Sequence, residues 1–402
     1  MTDKLPEGRS RWRGGHSDRP SLGRRQADAP PAAASPGVAA GARRHRAVAG
    51  ARLVPVDGNG GATADGRSPA LTPRPTAASV AELIDGASGR RPFRTSDAKS
   101  GSSFERVEID GERYVLKVMH VDDDWLARSM GDVACRQVRV WSAGLLDALP
   151  ATIDHTIVGA AAGLGRNGWG AALLMRDIGD LLVPAGHHPV PLDQHAEFLD
   201  HLAALSARYW GWTDTVDLTP PSLRWAFFGD AMLDVERRRG WPDDVPRIAD
   251  TGWRAFAERA PDDVNRLVAE LRRAPWTVSE AVATTPTTFL HGDWKMGNLG
   301  SHPDGRTILI DCAYPGEGPA CHELGWYLAI NRARLPESKE AAIERFRSSL
   351  ERHGVATADW WERQLDVCLL GTLVQFGWEK ALGEADELAW WSERARAGAR
   401  WL

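Results

Sequence analysis

Residues 104–109 (Phe-Glu-Arg-Val-Glu-Ile) alternate apolar and polar positions with a rough period of two, and residues 113–119 form a second run rich in β-formers. That period belongs to strands with one buried face. Asp110-Gly111 stands between them, and this pair suits the positive backbone angles of a two-residue turn. The spacing predicts an antiparallel hairpin. A short helix is predicted over 78–84 and a longer one over 132–146, ending near Pro150. Residues 171–175 predict a short apolar strand that leads into the loop-like 177–180. From Pro191 onward the pattern is mainly helical. Residues 195–210 carry Phe198, Leu199, Leu202 and Leu205 at helical spacing, Pro220-Pro221 breaks the run, and further helices are predicted over 253–271, 338–353 and 359–382. Two short β-branched or apolar runs, 287–290 and 307–310, predict strands inside this helical half. No repeat of fixed period is present.

The first 75 residues differ from this. They are rich in Arg, Ala, Gly and Pro and lack sustained apolar periodicity. Such composition buries too little apolar surface to offset chain entropy, so residues 1–75 are expected to be a disordered extension. Arg24-Arg25 and Arg43-Arg44 are not followed by an unbroken apolar region, which argues against export. No apolar run is long enough for a membrane helix. A net charge of −5 over 402 residues carries no signature of nucleic-acid binding. Four scattered cysteines read as reduced thiols, and a cytoplasmic location is expected. Tryptophan is abundant, 18 against 4 tyrosines, many of them in the C-terminal half. Core packing is the plainer reading of these residues, and an aromatic wall around a substrate the sharper one.

The chemistry concentrates in His291-Gly292-Asp293-Trp294-Lys295-Met296-Gly297-Asn298, followed by Ile308-Leu309-Ile310-Asp311. A carboxylate precedes an amide by five positions, and a second carboxylate ends the next apolar strand. Phosphoryl transfer needs a base on the attacking hydroxyl, oxygen ligands for Mg²⁺ and positive charge on the transferred group. Asp293 suits the base, Asn298 and Asp311 suit the metal, and Lys295 suits the charge. A plain surface turn would use the same residue types, but not a following strand that ends in Asp.

These residues resemble the aminoglycoside phosphotransferase and choline kinase group of small-molecule kinases, whose hallmark is H-G-D-x-x-x-x-N and then an Asp at the end of the next strand. The resemblance is sharpest over 288–328. It implies an α+β, two-lobed, protein-kinase-like fold: a β-rich N-lobe over 76–178, a mainly helical C-lobe over 179–402, and ATP with Mg²⁺ between them. Lys117, on the predicted strand 113–119, falls where the phosphate-binding lysine is expected. Asp132 is the candidate carboxylate partner for it, with Arg136 standing where a Glu would otherwise be sought. Ser100-Gly101-Ser102-Ser103 is a degenerate phosphate loop, in which Gly101, Ser102 and Ser103 are candidate contacts. Met175 falls at the expected interlobe hinge and is a candidate for adenine binding.

The acceptor is expected to be a small molecule with a hydroxyl group. No Ala-Pro-Glu follows Asp311, and the Phe-Gly of a protein-kinase metal loop is replaced by Cys312-Ala313. Glu317, Glu323, Glu379 and Asp180 are candidates to line an acidic acceptor pocket, and Glu323 is also a candidate brace for the catalytic loop. Aminoglycoside-like antibiotics, amino alcohols and sugars fit this reading. A catalytically silent nucleotide-binding module is the alternative.

Overall fold

The structure, a computed structural model, describes residues 71–94 and 100–402. Most of the predicted extension, residues 1–70, lies outside the described residues. Residues 71–75, grouped with it by composition, are packed: the Arg74 N–H donates to the Ser142 carbonyl at 2.8 Å and its guanidinium lies over the Trp141 ring.

The β-rich half begins with a one-turn helix, α1 (Val80–Leu83), capped by Ser79, whose hydroxyl accepts from the Glu82 N–H. Strands β1 (Ala87–Phe93), β2 (Ser103–Ile109) and β3 (Glu112–His120) follow. Asp110 and Gly111 take φ of 52° and 80° and join β2 to β3 in the predicted hairpin. After β3 come two short helices, α2 (Trp125–Ser129) and α3 (Arg136–Ser142), then β4 (Ile153–His155), β5 (Ile157–Leu164) and β6 (Gly170–Arg176). Five strands form an antiparallel sheet in the order β1-β2-β3-β6-β5. Alternation along β3 puts Leu116 on one face, in a small core with Ile84, Val107 and Leu174. Lys117 therefore points to the opposite face, toward the helical half.

The predicted helix over 132–146 is corrected to α3 and a separate 3₁₀ turn, Leu145–Ala148. The Asp132 carboxylate accepts from the Arg136 N–H at 3.0 Å, so it stands before the helix and not in it. Helix α2 was not foreseen, although three acidic residues precede it. The last of these, Asp124, accepts from the N–H groups of Leu126 and Ala127, an ordinary helix start.

The helical half comprises α4 (Leu192–Arg208), α5 (Asp230–Arg238), α6 (Asp244–Arg259), α7 (Asp262–Arg273) and α8 (Trp276–Val282) before the segment that carries residues 291–298. The single helix predicted over 253–271 is two, because Pro261 has no N–H to continue α6 and instead precedes the first turn of α7. Residues 288–318 supply β7 (Thr288–Leu290), β8 (Leu299–Ser301), β9 (Thr307–Leu309) and β10 (Gly316–Gly318). Helices α9 (Ala320–Ile330), α10 (Lys339–Arg352), α11 (Trp361–Leu382) and α12 (Ala385–Ala399) complete it. Helices α9 and α11 are buried through most of their length and form the spine on which the others pack. Strand β4 leaves the first half of the chain to pair in parallel with β9, tying the two halves together beside the site. Among the described residues, no helix is long and apolar enough to cross a membrane.

Candidate active site

Strand β7 delivers the chain into residues 291–298, and two contacts fix the loop from below. The Gly292 N–H donates to Glu323 Oε1 at 2.7 Å, and the Met296 N–H donates to Asn331 Oδ1 at 3.1 Å. Gly292 takes φ of 85°, and a Cβ there would stand 2.1 Å from the Tyr314 carbonyl oxygen, so only glycine fits. Trp294 and Met296 are fully buried anchors. The side chains that alternate with them, Asp293 and Lys295, line the smaller cavity.

Asp293 is held by three donors. Trp326 Nε1 reaches Oδ1 at 2.9 Å, while Lys295 Nζ and Asn298 Nδ2 reach Oδ2 at 2.6 and 2.8 Å. Burial pushes its carboxyl above the ordinary range, and the Lys295 ammonium only partly offsets this. His291 is buried and pushed down to about 4, chiefly by desolvation, so it is neutral at physiological pH. It accepts from the Asp293 N–H at 3.3 Å and acts as part of the scaffold. Glu323 is pushed up to about 8 by burial, against the pull of the Gly292 N–H.

Beyond β9 the chain turns at Asp311, which takes φ of 58°. Its Oδ1 accepts from Lys117 Nζ at 2.6 Å and from Gln137 Nε2 at 3.2 Å. Burial alone would raise the Asp311 carboxyl, but Lys117 brings it below the usual range. For Lys117, desolvation works against the charge and Asp311 outweighs it, leaving the ammonium raised.

The structure thus brings together Lys117, Asp293, Lys295, Asn298 and Asp311. It does not join Asp132 to Lys117. Helix α3 starts at Arg136, so the helical side chain that faces Lys117 is Gln137, with Oε1 at 3.5 Å. Arg136 turns away to the Met130 carbonyl. In the degenerate loop, Gly101 takes φ of 103°, with the Asp123 carbonyl oxygen 2.0 Å from where a Cβ would stand. The Ser102 hydroxyl donates to Asp124 Oδ2 at 3.1 Å, and Ser103 is an exposed residue at the start of β2. Neither cavity wall described below includes Gly101, Ser102 or Ser103; their neighbours Ser100 and Phe104 are wall residues.

Two cavities meet at this cluster, and Phe104, Lys117, Gln137, Asn298 and Asp311 border both. The larger, about 500 Å³, lies under the sheet between Val115, Ile157, Leu173 and Met175 on one side and Ile178, Leu182 and Ile310 on the other. Met175 therefore sits in its wall, near the end of β6. The smaller, about 350 Å³, contains Asp293 and Lys295 and is walled by Trp125, Phe227, Phe228, Tyr314, Trp326, Phe376 and Trp378. Trp326 and Trp378 are buried and also line this cavity, while Trp391 is fully buried in the core. Of the acidic candidates only Glu379 lines this pocket. Glu317 accepts from the Asp214 N–H and the Thr287 hydroxyl, Glu323 braces the catalytic loop, and Asp180 is exposed on the 3₁₀ turn Gly179–Leu181.

Helix α2 closes the smaller cavity from above. Arg128 forms a two-pronged ion pair with Glu236 at 2.9 and 3.0 Å and reaches Asp243 at 3.1 Å. Trp125 stacks on Phe227, with centroids 5.8 Å apart and planes 7° from parallel.

Gln137, Asp124, Trp125, Phe227, Phe228 and Arg128 were absent from the sequence reading of the site. The acidic run before Trp125 could have revealed α2. Nothing local marks Phe227 and Phe228, which reach the site only through the fold.

Residues 94–360 match the family described as the phosphotransferase enzyme family. No protein of curated function matches the chain by sequence. Among solved structures the chain is similar to a thermostable mutant of aminoglycoside phosphotransferase APH(4)-Ia, at 14% identity and a TM-score of 0.40, over 78% of this chain and 94% of that one. It is similar to a microcompartment-associated aminopropanol kinase at 14% identity and 0.43, over 79% and 91%. It is similar to the choline kinase LicA from Streptococcus pneumoniae at 11% identity and 0.43, over 80% and 96%. The family match runs from the residue after β1 through the loop 291–298 and Asp311 to the residue before α11, and thus takes in every charged residue of the cluster. The chain belongs to the phosphotransferase enzyme family.

Proposed function

We propose that this protein is a small-molecule kinase that transfers the γ-phosphoryl group of ATP to a hydroxyl group. The observation that carries the reading is Asp293, a desolvated carboxylate aimed by three donors in the smaller cavity, beside Asn298, which borders both cavities. The larger cavity takes the nucleotide, with Met175 and its aliphatic neighbours against adenine, and the smaller takes the acceptor. Asp293 accepts the proton of the acceptor hydroxyl. The hydroxyl oxygen bonds to the γ-phosphorus as the bond to the bridging oxygen breaks, and ADP leaves. Lys117 orients the α- and β-phosphates, and Lys295, at the mouth of the base, offsets charge on the group in transfer. Asn298 and Asp311 suit Mg²⁺: both carry hard oxygens, and the Asn298 amide nitrogen is already spent on Asp293, which leaves its carbonyl oxygen for a cation. Bound there with the phosphates, the metal would neutralise charge that develops on the transferred group.

A silent binding module has no use for a buried, oriented base, and the cluster of Lys117, Asp293, Asn298 and Asp311 favours the enzyme. The test is to incubate the full chain with ATP, Mg²⁺ and a panel of amino alcohols, sugars, aminoglycosides and apolar alcohols, and to follow mass. An acceptor that gains one phosphoryl group only when both ATP and Mg²⁺ are present supports the reading. ATP binding with no product from any hydroxyl compound would favour the silent module.

A further inference from the structure

Lys117 and Gln137 are both buried, the one on β3, which lies between β2 and β6, the other in the first turn of α3. Among the described residues, the one carboxylate within ion-pair reach of Lys117 is Asp311, at 2.6 Å. Asp124 is turned to the start of α2 and to Ser102, and Asp132 to the Arg136 N–H. Gln137 touches both members of the pair. Its Oε1 is 3.5 Å from Lys117 Nζ, and its Nε2 donates to Asp311 Oδ1 at 3.2 Å. The ammonium and the amide thus converge on one carboxylate oxygen.

An amide carries no charge, so Gln137 cannot draw Lys117 away from Asp311. A buried ammonium left without an anion is costly, and Lys117 leaves Asp311 only for another anion. The phosphates of a nucleotide are such an anion. The Asp311 carboxylate has the hard oxygens that suit Mg²⁺. While Lys117 holds it the pair is neutral, and an approaching cation would meet the ammonium as well. A glutamate at this position would act differently. It would have no N–H to give Asp311, it would offer Lys117 a carboxylate of its own, and Asp311 would be open to a cation before any nucleotide arrived.

We infer, resting on the kinase reading, that Gln137 is a positioning residue that keeps Asp311 masked by Lys117, so that metal and nucleotide are taken up together. When the nucleotide binds, the Lys117 ammonium passes with its protons from Asp311 to the phosphates, which leaves the carboxylate for the metal. No covalent bond changes in this exchange.

The test is a titration of the full chain with Mn²⁺ in the absence of nucleotide, with bound ion read by electron paramagnetic resonance; Mn²⁺ shares the oxygen preference of Mg²⁺. Gln137→Glu should bind Mn²⁺ about tenfold or more tightly than the original chain, and Gln137→Glu combined with Asp311→Asn should lose that gain. Lys117→Met unmasks Asp311 through the other partner and keeps the test open should Gln137→Glu fail to fold. It too should gain affinity, again lost with Asp311→Asn. Affinity equal to that of the original chain in the folded variants would overturn the inference. So would a gain that survives Asp311→Asn, since the ion would then be held elsewhere. These readings need no turnover. The expected gain in a chain that phosphorylates none of the acceptor panel would sink the kinase reading and spare the masked carboxylate. Phosphoryl transfer by a chain whose variants show no gain would do the reverse.

Discussion

The two cavities are built differently. The larger is walled by aliphatic side chains from neighbouring strands, Val115 on β3 with Leu173 and Met175 on β6, which the sheet register places side by side. The smaller draws Trp125, Phe227, Tyr314, Trp326 and Phe376 from five separate segments, so its shape depends on how α2, α9 and α11 come together. The sheet side of the larger cavity is fixed by local strand pairing, while Ile178, Leu182 and Ile310 close it from outside the sheet. A chamber assembled from distant helices can change in shape without disturbing the chemistry. Beside both stand two lysine–carboxylate pairs, Lys117–Asp311 and Lys295–Asp293, to which the proposed reaction is assigned.

Substitutions can separate the two halves. The largest effect is expected from Arg128→Met, which leaves Glu236 buried without its partner. Breaking a buried pair commonly costs about 3–5 kcal/mol, so the melting temperature should fall clearly. The acceptor KM should rise as α2 loosens, while the ATP KM stays near its original value. Equal changes in both would mean that α2 does not belong to the acceptor side alone. Lys117→Met removes the ammonium that the proposal places on the phosphates, and kcat/KM for ATP should drop about a hundredfold, a loss that initial-rate kinetics would detect.

Glu323 gives a pH test of the scaffold under the loop. Its folded carboxyl is pushed up to about 8, so the folded chain keeps a proton that the unfolded chain releases. The stability from this group is complete below the ordinary range, near 4.5, and is lost as pH rises through about 8. His291, pushed down to about 4, acts in the opposite sense but is neutral in both states above its ordinary value of 6.5. Between pH 6.5 and 8 the chain should therefore lose roughly 2 kcal/mol through Glu323. Denaturant titrations across that window should show the loss in the original chain and its absence in Glu323→Gln. The smallest effect is expected from Gln137→Leu, which removes one amide contact to Asp311, and nucleotide affinity should fall about tenfold or less.

The legibility of the sequence follows the same division. The hairpin at Asp110-Gly111 and the cluster Asp293, Asn298 and Asp311 lie in short stretches, where period and spacing carry the information. Lys117 was legible through the family resemblance, because it lies on a predicted strand after a hairpin and well before Asp293. The partner of Lys117 was not, because a helix start misplaced from Arg136 to Asp132 turns the wrong side chain inward. The aromatic chamber was illegible for a stronger reason. Phe227 and Trp326 are nearly a hundred positions apart yet have centroids 5.9 Å apart, a pairing that only the tertiary fold brings about. The Trp-rich composition suggested such a wall without saying which residues build it.

The most direct test of the account is a single-turnover measurement on Asp293→Asn, beside its affinity for ATP with Mg²⁺. The account predicts that phosphoryl transfer falls by about a thousandfold while nucleotide affinity changes about twofold or less. Transfer that survives the substitution at a comparable rate would show that Asp293 is not the base, and would contradict the account at its centre.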